Sequence, residues 1–190
     1  MTMSTGDCLG LALIARARNA VASSLGLPLI DTPDHPRLAA PAATFVTLHT
    51  SGVLHGCIGS LEATRTLDED VRANAFAAAF RDPRFEPLTV AEFGATRFEI
   101  SLLGSAWPVP AASEDEAIAA LVPHRDGVTL WWQDSRATLL PQVWGSVRSP
   151  REFLHALKRK AGLPAGYWGP DLRVECYTVT CFDEAPELLA

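Results

Sequence analysis

Alternating apolar and polar residues divide this chain into short strands separated by helices. Residues 97–103 alternate between the two classes up to Leu102, as in a strand with one buried face. Residues 44–49 and 53–61 are two more β-rich runs, and the Thr-Ser-Gly segment at 50–52 predicts a hairpin with a three-residue loop between them. Further strands are predicted at residues 127–132, 136–140 and 173–182.

Helix signals lie between these strands. Residues 7–25 predict a first helix that ends at a glycine and a proline. A threonine and a glutamate three residues apart form a capping box that opens a helix over residues 66–80. Comparable starts predict helices over residues 113–121 and 149–162. Strands joined by hairpins, interleaved with helices and lacking a regular βαβ repeat, predict an α+β fold of antiparallel sheets with flanking helices.

Size and charge narrow the class of protein. The 190 residues, of which 48% are hydrophobic, are enough for one domain over residues 1–190, either undivided or built from two small subdomains. The formal net charge of −6 repels phosphate backbones, so we expect no nucleic-acid partner.

The apolar segment near the N-terminus does not have the pattern of a signal peptide. Residues 8–15 follow an aspartate and precede two arginines, which favours an amphipathic helix. No apolar run reaches the length of a membrane span, so we expect a cytoplasmic protein with no membrane partner.

The four cysteines are spaced widely and form no CxxC motif. In a reducing compartment this spacing predicts free thiols. Cys176 and Cys181 differ by an odd number of positions, so on one regular strand they would face opposite sides. We therefore expect no metal site, and the cofactor is unknown from the residues.

Cys57 is the leading candidate for chemistry. It lies between Gly56 and Gly59 on a predicted strand, and a glycine lets backbone or a ligand approach closely because it lacks a Cβ atom. The alternative is that Cys57 is a small buried hydrophobic residue.

Two histidines are candidates to assist this thiol. A three-residue loop would put His49 and His55 on the same face as Cys57, and an imidazole beside a thiol can take its proton or stabilise the thiolate. A two-residue loop would move His49 to the other face. The alternative for both histidines is a surface or strand-packing role. The predicted cross-strand pairs are His49 with Val53, Thr47 with His55, and Phe45 with Cys57.

Charged residues nearby allow two interpretations each. Glu99, on the polar face of its strand, is either a general base or the partner of an arginine, Arg97 or Arg84. Asp82, which precedes a proline, is either a residue that fixes a turn or, with Arg84, part of a site that binds a carboxylate or phosphate.

Six blocks of sequence occur in an order typical of one family. The chain resembles the AMMECR domain family over nearly its whole length, and bacterial and archaeal members are called AmmeMemoRadiSam system protein A. The family usually has arginine where this chain has His55, and a neutral imidazole would replace an anion-binding arginine only weakly. The blocks are Phe45-Val46-Thr47-Leu48, residues 54–61, Arg81-Asp82-Pro83-Arg84-Phe85, Glu99-Ile100-Ser101, Leu140-Pro141-Gln142-Val143-Trp144, and residues 157–163.

The resemblance implies a two-part α+β fold and an association with Memo-type and radical SAM proteins, but no established reaction. The chain has no closely spaced cysteines for an iron-sulfur cluster, so any radical step would belong to a partner. Two function classes follow. The chain is a small-molecule enzyme or accessory subunit with a ligand cleft near Cys57, or it is a noncatalytic scaffold for those partner proteins.

Overall fold

The computed structural model describes residues 5–164 and 166–184. The chain folds as two units, each built around its own sheet. The first unit combines the residues up to Leu103 with those from Thr180 onward, and the second comprises Gly104–Val179.

Within the described residues, the first unit contains three α-helices, the strand that carries Cys57 and a short 3-10 helix at Pro36–Ala39. Its elements in chain order are α1 (Thr5–Ser24), β1 (Pro41–Ala42), β2 (Thr44–Thr50), β3 (Val53–Gly59), β4 (Arg65–Thr66), α2 (Leu67–Phe80), α3 (Val90–Phe93) and β5 (Thr96–Leu103).

The second unit has two α-helices, a 3-10 helix at Pro141–Ser146 and a sheet of its own. Its elements are β6 (Trp107–Pro108), α4 (Glu114–Ala120), β7 (Gly127–Trp132), β8 (Ser135–Leu139), α5 (Pro150–Lys160) and β9 (Leu172–Tyr177), and the chain then enters β10 (Val179–Asp183).

The principal sheet of the first unit has the strand order β10-β5-β2-β3 and is antiparallel where β2 meets β3 and β5. The alternation along β2 and β5 gives this sheet an inner and an outer face. The inner face packs against α1 and α2 and carries Val46, Leu48, Phe98, Ile100 and Leu102, all of them buried. The outer face carries Phe45, Thr47, His49, Arg97, Glu99 and Ser101.

A buried carboxylate fastens α2 to this sheet. Asp70 accepts hydrogen bonds from the Thr44 backbone N–H at 2.8 Å and from the Asn74 amide at 2.9 Å. It also binds the Ser60 hydroxyl and the Arg65 guanidinium, each at 2.7 Å. Every contact is a charge-assisted hydrogen bond. Asp70 therefore fixes α2 relative to the start of β2, at Thr44, and to the end of β3, at Ser60.

The second sheet has the order β6-β9-β7-β8 and packs one face against α4 and α5. Lys158 on α5 is fully buried and donates to Glu114 of α4 at 2.7 Å. The ring of Trp144 stacks on Phe153 at 3.8 Å between centroids. One of the three basic residues in the last turn of α5 therefore holds two helices together.

Most sequence expectations are confirmed at the level of elements. The fold is α+β with antiparallel sheets, and the capping box at Thr66 and Glu69 opens α2. The single strand predicted at residues 173–182 is wrong, because β9 belongs to the second sheet and β10 to the first. Cys176 and Cys181 are therefore on different strands. None of the described helices has the length and apolar character needed to cross a membrane.

Candidate functional site

The β2–β3 hairpin turns more tightly than the sequence suggests. Thr50 pairs with Val53, so only Ser51 and Gly52 form the loop. Both have positive φ angles, 51° and 80°, as a type I′ turn requires. The Ser51 N–H donates to the Ala95 carbonyl at 3.0 Å, which holds this unusual serine conformation. The predicted three-residue loop is therefore wrong.

With a two-residue loop and a regular register, Cys57 would face the same side as Leu48, but a β-bulge shifts the strand and places Cys57 on the outer face. The register shifts between Leu48 and His49, so that His49 pairs with Leu54 while Thr47 pairs with Cys57. His55 is the extra residue that the bulge inserts, since it has no direct partner in this register. The predicted pairs of His49 with Val53, Thr47 with His55, and Phe45 with Cys57 are wrong for this reason. His49 and Cys57 nevertheless share the outer face.

The Cys57 thiol is half-buried beside a hydroxyl. Thr47 Oγ1 donates to Cys57 Sγ at 3.3 Å. Within the described residues, the thiol makes no hydrogen bond to His49 or His55. A direct thiol and imidazole pair is thus absent from this part of the chain, and the neighbour that contacts the sulfur is a threonine.

The backbone of Cys57 is held by the Asp82 and Arg84 pair. Because β3 is at the edge of its sheet, its outward N–H and C=O groups have no neighbouring strand to bind. The Cys57 N–H donates to Asp82 Oδ2 at 2.9 Å, and Arg84 Nη2 donates to the Cys57 carbonyl at 3.1 Å. The two side chains thereby substitute for a strand at this position.

The two charged side chains also bind each other. Arg84 Nη2 lies 2.6 Å from Asp82 Oδ2, and the Asp82 side chain is only 1% exposed. Hydrogen bonds from the Arg84 guanidinium, and then from the Cys57 N–H, hold the pKa of Asp82 well below its ordinary range despite burial. The same contact raises the pKa of Arg84. This pair is therefore ionised at neutral pH and closes the edge of the sheet.

The glycines beside Cys57 make room for neighbouring protein groups. A Cβ atom on Gly56 would lie 2.9 Å from the carbonyl carbon of Ala78 in α2, and closer still to its oxygen. A Cβ atom on Gly59 would overlap the ring of Phe45. Close packing of the helix backbone and an aromatic ring thus accounts for both positions.

Glu99 lies on the same cross-strand row as the thiol. Thr47 is paired with Cys57 on one side and with Glu99 on the other. Two cross-strand steps separate the Cα atoms of Cys57 and Glu99 by about 10 Å. Among the described residues, Glu99 forms no ion pair, either with Arg97 or with Arg84. A small molecule on the outer face can therefore contact the sulfur and this carboxylate together.

His55 lies apart from that row, against Phe85. The two rings stack with centroids 6.2 Å apart. His55 Nε2 is buried and has no hydrogen-bond partner among the described residues. The pKa of Glu92, an acidic residue near His55, is lowered chiefly by hydrogen bonds from the Thr89 hydroxyl and backbone N–H. His55 is thus placed next to an aromatic ring and an acidic residue.

A pocket of about 530 Å³ adjoins the outer face at the hairpin end. Sequence reasoning did not select Thr47, Arg97 or Asp183 as site residues, although the polar face of the alternating strand was a signal for the first two. No group of three or more potential metal ligands lies within the described parts of the chain. The pocket is lined by His49, Ser51, Gly52, Ala95, Arg97, Phe98, Glu99, Asp183 and Glu184.

Comparisons with known proteins agree over most of the chain. The AMMECR1 family model matches residues 14–182. Protein Ta0236 of Thermoplasma acidophilum is 34% identical over 181 residues, which cover 93% of this chain and 87% of that protein. A protein of Thermotoga maritima is 38% identical over 140 residues, covering 73% and 75% of the two chains. The crystal structure of uncharacterized protein PH0010 from Pyrococcus horikoshii matches with a TM-score of 0.81 and 31% identity, covering 92% of this chain and 91% of that one.

Proposed function

The chain belongs to the AMMECR1 family, and from this premise we propose that it is a cytoplasmic small-molecule enzyme, or the accessory subunit of one, whose reacting group is the Cys57 thiol. One observation carries the proposal. The sulfur is half-buried on the outer face, next to the Thr47 hydroxyl and in the same row as Glu99. The thiol and the carboxylate flank Thr47, with Cα atoms about 10 Å apart, so a substrate that lies across Thr47 on the outer face can reach both groups.

The arrangement suits addition of the thiol across a polarised double bond. Cys57 loses its proton to Glu99 through the substrate or a water molecule, and the thiolate sulfur forms a bond to the electrophilic carbon. The electron pair of the double bond moves to the far atom, which takes the proton back from Glu99. Thr47 donates a hydrogen bond to the sulfur and orients it. No oxidant or reductant is needed for this step.

The Asp82 and Arg84 pair acts as positioning machinery in this proposal. It holds both backbone groups of Cys57, so the sulfur stays at a fixed place on the outer face. Rigid placement matters because a catalytic group must be held close to its productive geometry. Gly56 and Gly59 serve the same purpose, since they let α2 and Phe45 pack tightly on β3.

Two electrophiles with different proton requirements test the role of Glu99. Acrylamide needs a proton on carbon after the sulfur adds, whereas iodoacetamide loses iodide and needs none. We expect Glu99→Gln to lower the ratio of the acrylamide rate to the iodoacetamide rate at Cys57 by at least about tenfold. Peptide mass spectrometry measures both rates at this one thiol.

A matched variant makes the result interpretable. Glu86 is an exposed acidic residue beyond the Arg84 turn, and Glu86→Gln should leave the ratio unchanged. An unchanged ratio in Glu99→Gln would contradict the general acid and base role. Failure of both reagents to label Cys57 in the folded protein would contradict the thiol proposal itself.

The second candidate function is noncatalytic binding of Memo-type or radical SAM proteins. Its support is the edge strand β3, on which Val53 is 70% exposed and Leu54 39% exposed. Exposed apolar side chains on a sheet edge are a suitable surface for a protein partner. A stable complex with such a partner, together with full cellular activity in Cys57→Ala, would favour this function over the first.

A further inference from the structure

The pocket beside Glu99 carries charges of both signs, and we infer that it binds an amino-carboxylate, with the ligand carboxylate on Arg97 and its ammonium group at Glu99 and Asp183. This inference rests on the proposed function, because it names the substrate class of the same outer face. It adds a binding subsite at the far end of the row from Cys57.

Arg97 provides the anion-binding group. It lies on the outer face, is exposed and lines the pocket. Its strand register places it directly across from His49, which lines the same pocket and offers a ring N–H. Among the described residues, the Arg97 side chain forms no hydrogen bond and no ion pair, so its five donors are available. A planar guanidinium binds a carboxylate through two parallel hydrogen bonds.

Glu99 and Asp183 provide the opposite charge. Both line the pocket, and neither makes an ion pair within the described residues. Both also lie close enough to Cys181 to help raise the pKa of its thiol, although burial is the larger cause. Two unpaired carboxylates near one point favour a cationic group there.

The remaining acid of the pocket is already neutralised. Glu184 is buried, and its carboxylate accepts from Arg18 at 2.8 Å and from the Phe98 N–H at 3.1 Å. Burial raises the pKa of Glu184, while Arg18, the Phe98 N–H and, as the smallest cause, the charge of Arg97 oppose that rise. The charges left for a ligand are thus one guanidinium and two carboxylates.

This balance selects among anionic ligands. A phosphate dianion on Arg97 would face the two unpaired carboxylates, and the described lining residues include no second arginine and no lysine. A molecule with one carboxylate and one ammonium group instead pairs both of its charges. The volume of about 530 Å³ exceeds that of a single small amino acid and leaves room for a longer chain between the charged ends.

A series of unbranched amino acids from glycine to 6-aminohexanoate tests the inference and measures the spacing of the two subsites. Titrations followed by amide NMR should show saturable shifts at residues 49–52 and 95–99. One chain length should bind more tightly than hexanoate, hexylammonium or inorganic phosphate. Arg97→Gln should weaken that binding by about tenfold or more, as expected for loss of a charge-assisted hydrogen-bond pair.

Two further variants separate this inference from the proposed function. Arg72→Gln removes another partly exposed arginine, which pairs with Asp68. Both residues belong to α2, on the inner face of the sheet, so this variant should leave binding unchanged. Cys57→Ser should retain binding, since the subsite does not use the sulfur. Binding no tighter than that of the single-charge controls, or unaffected by Arg97→Gln, would overturn the inference. That result would leave the reactivity of Cys57 as a separate question, decided by thiol labelling.

Discussion

Replacement of Gly56 by alanine tests whether close packing of α2 fixes the strand that carries Cys57. The added Cβ atom would lie 2.9 Å from the carbonyl carbon of Ala78, which is 0.5 Å inside the 3.4 Å limit of ordinary contact. It would lie still closer to the carbonyl oxygen. Since these are backbone atoms of a buried helix, the strand and the helix must move apart.

The expected cost is large for a single methyl group. Overpacking of this kind costs about 3 kcal/mol when the opposing atoms cannot rotate away. With a denaturant slope of about 2 kcal/mol/M, the urea midpoint of Gly56→Ala should fall by about 1.5 M. The loss should appear with an unchanged slope, because the surface exposed on unfolding is nearly the same.

Two comparisons make this prediction refutable. A Cβ atom on Gly94 would meet no atom within 4 Å and its φ angle is −64°, so Gly94→Ala should be neutral or slightly stabilising. Equal midpoints for Gly56→Ala and Gly94→Ala would refute the packing argument. Rescue of Gly56→Ala by Ala78→Gly would also contradict it, because the clash is with the backbone and not with the Ala78 side chain.

Three further predictions concern buried ionisable groups. The pKa of Asp82 is held below its ordinary value, so the contribution of Asp82 to stability is complete above about pH 4 and is lost as the pH falls further. The urea midpoint of Asp82→Asn should therefore drop less between pH 5 and pH 3 than that of the unmodified chain. Burial raises the pKa of the Cys176 thiol to about 12, so a colorimetric thiol assay at pH 7 should count this cysteine only after unfolding. Glu114→Gln would remove the carboxylate that lies 2.7 Å from the fully buried Lys158 ammonium and should cost about 3 kcal/mol in urea unfolding, whereas Asp115→Asn, at a carboxylate that is 79% exposed, should cost about 0.5 kcal/mol or less.

Short sequence patterns predicted correctly those elements that residues close together in the chain determine. The capping box at Thr66 begins α2 where the sequence places it, because the hydroxyl and the Glu69 carboxylate need only each other. The alternation over β5 likewise separates the buried and polar faces correctly, since the period of a strand decides it.

The register of the hairpin depends on contacts that the local sequence does not contain. Ser51 adopts a positive φ angle, which is unfavourable for serine. A hydrogen bond from the Ser51 N–H to the carbonyl of Ala95, 44 positions later in the chain, stabilises this conformation. The bulge at His55 then shifts the strand by one residue. The sequence therefore placed Cys57 on the same face as His49, as the structure does, but assigned Cys57 the wrong cross-strand partner.

The sequence left two roles open for Asp82 and Arg84, a turn or an anion-binding site, and could not decide between them. An aspartate before proline predicts a turn, and the structure contains one. The contact of this pair with the Cys57 backbone, 25 residues earlier for Asp82, arises only when the edge of β3 meets the end of α2. The contact with Cys57 therefore depends on tertiary packing, which the local sequence does not reveal.

Site-resolved thiol labelling tests the central claim, that Cys57 is a reactive thiol on the outer face. Limiting iodoacetamide at pH 7 with peptide mass spectrometry gives a rate for each cysteine, and the same protein in urea gives the unfolded reference. We expect Cys57 to react faster in the folded chain than in the unfolded one. A folded-state rate for Cys57 that is equal to or below the unfolded rate would contradict the account.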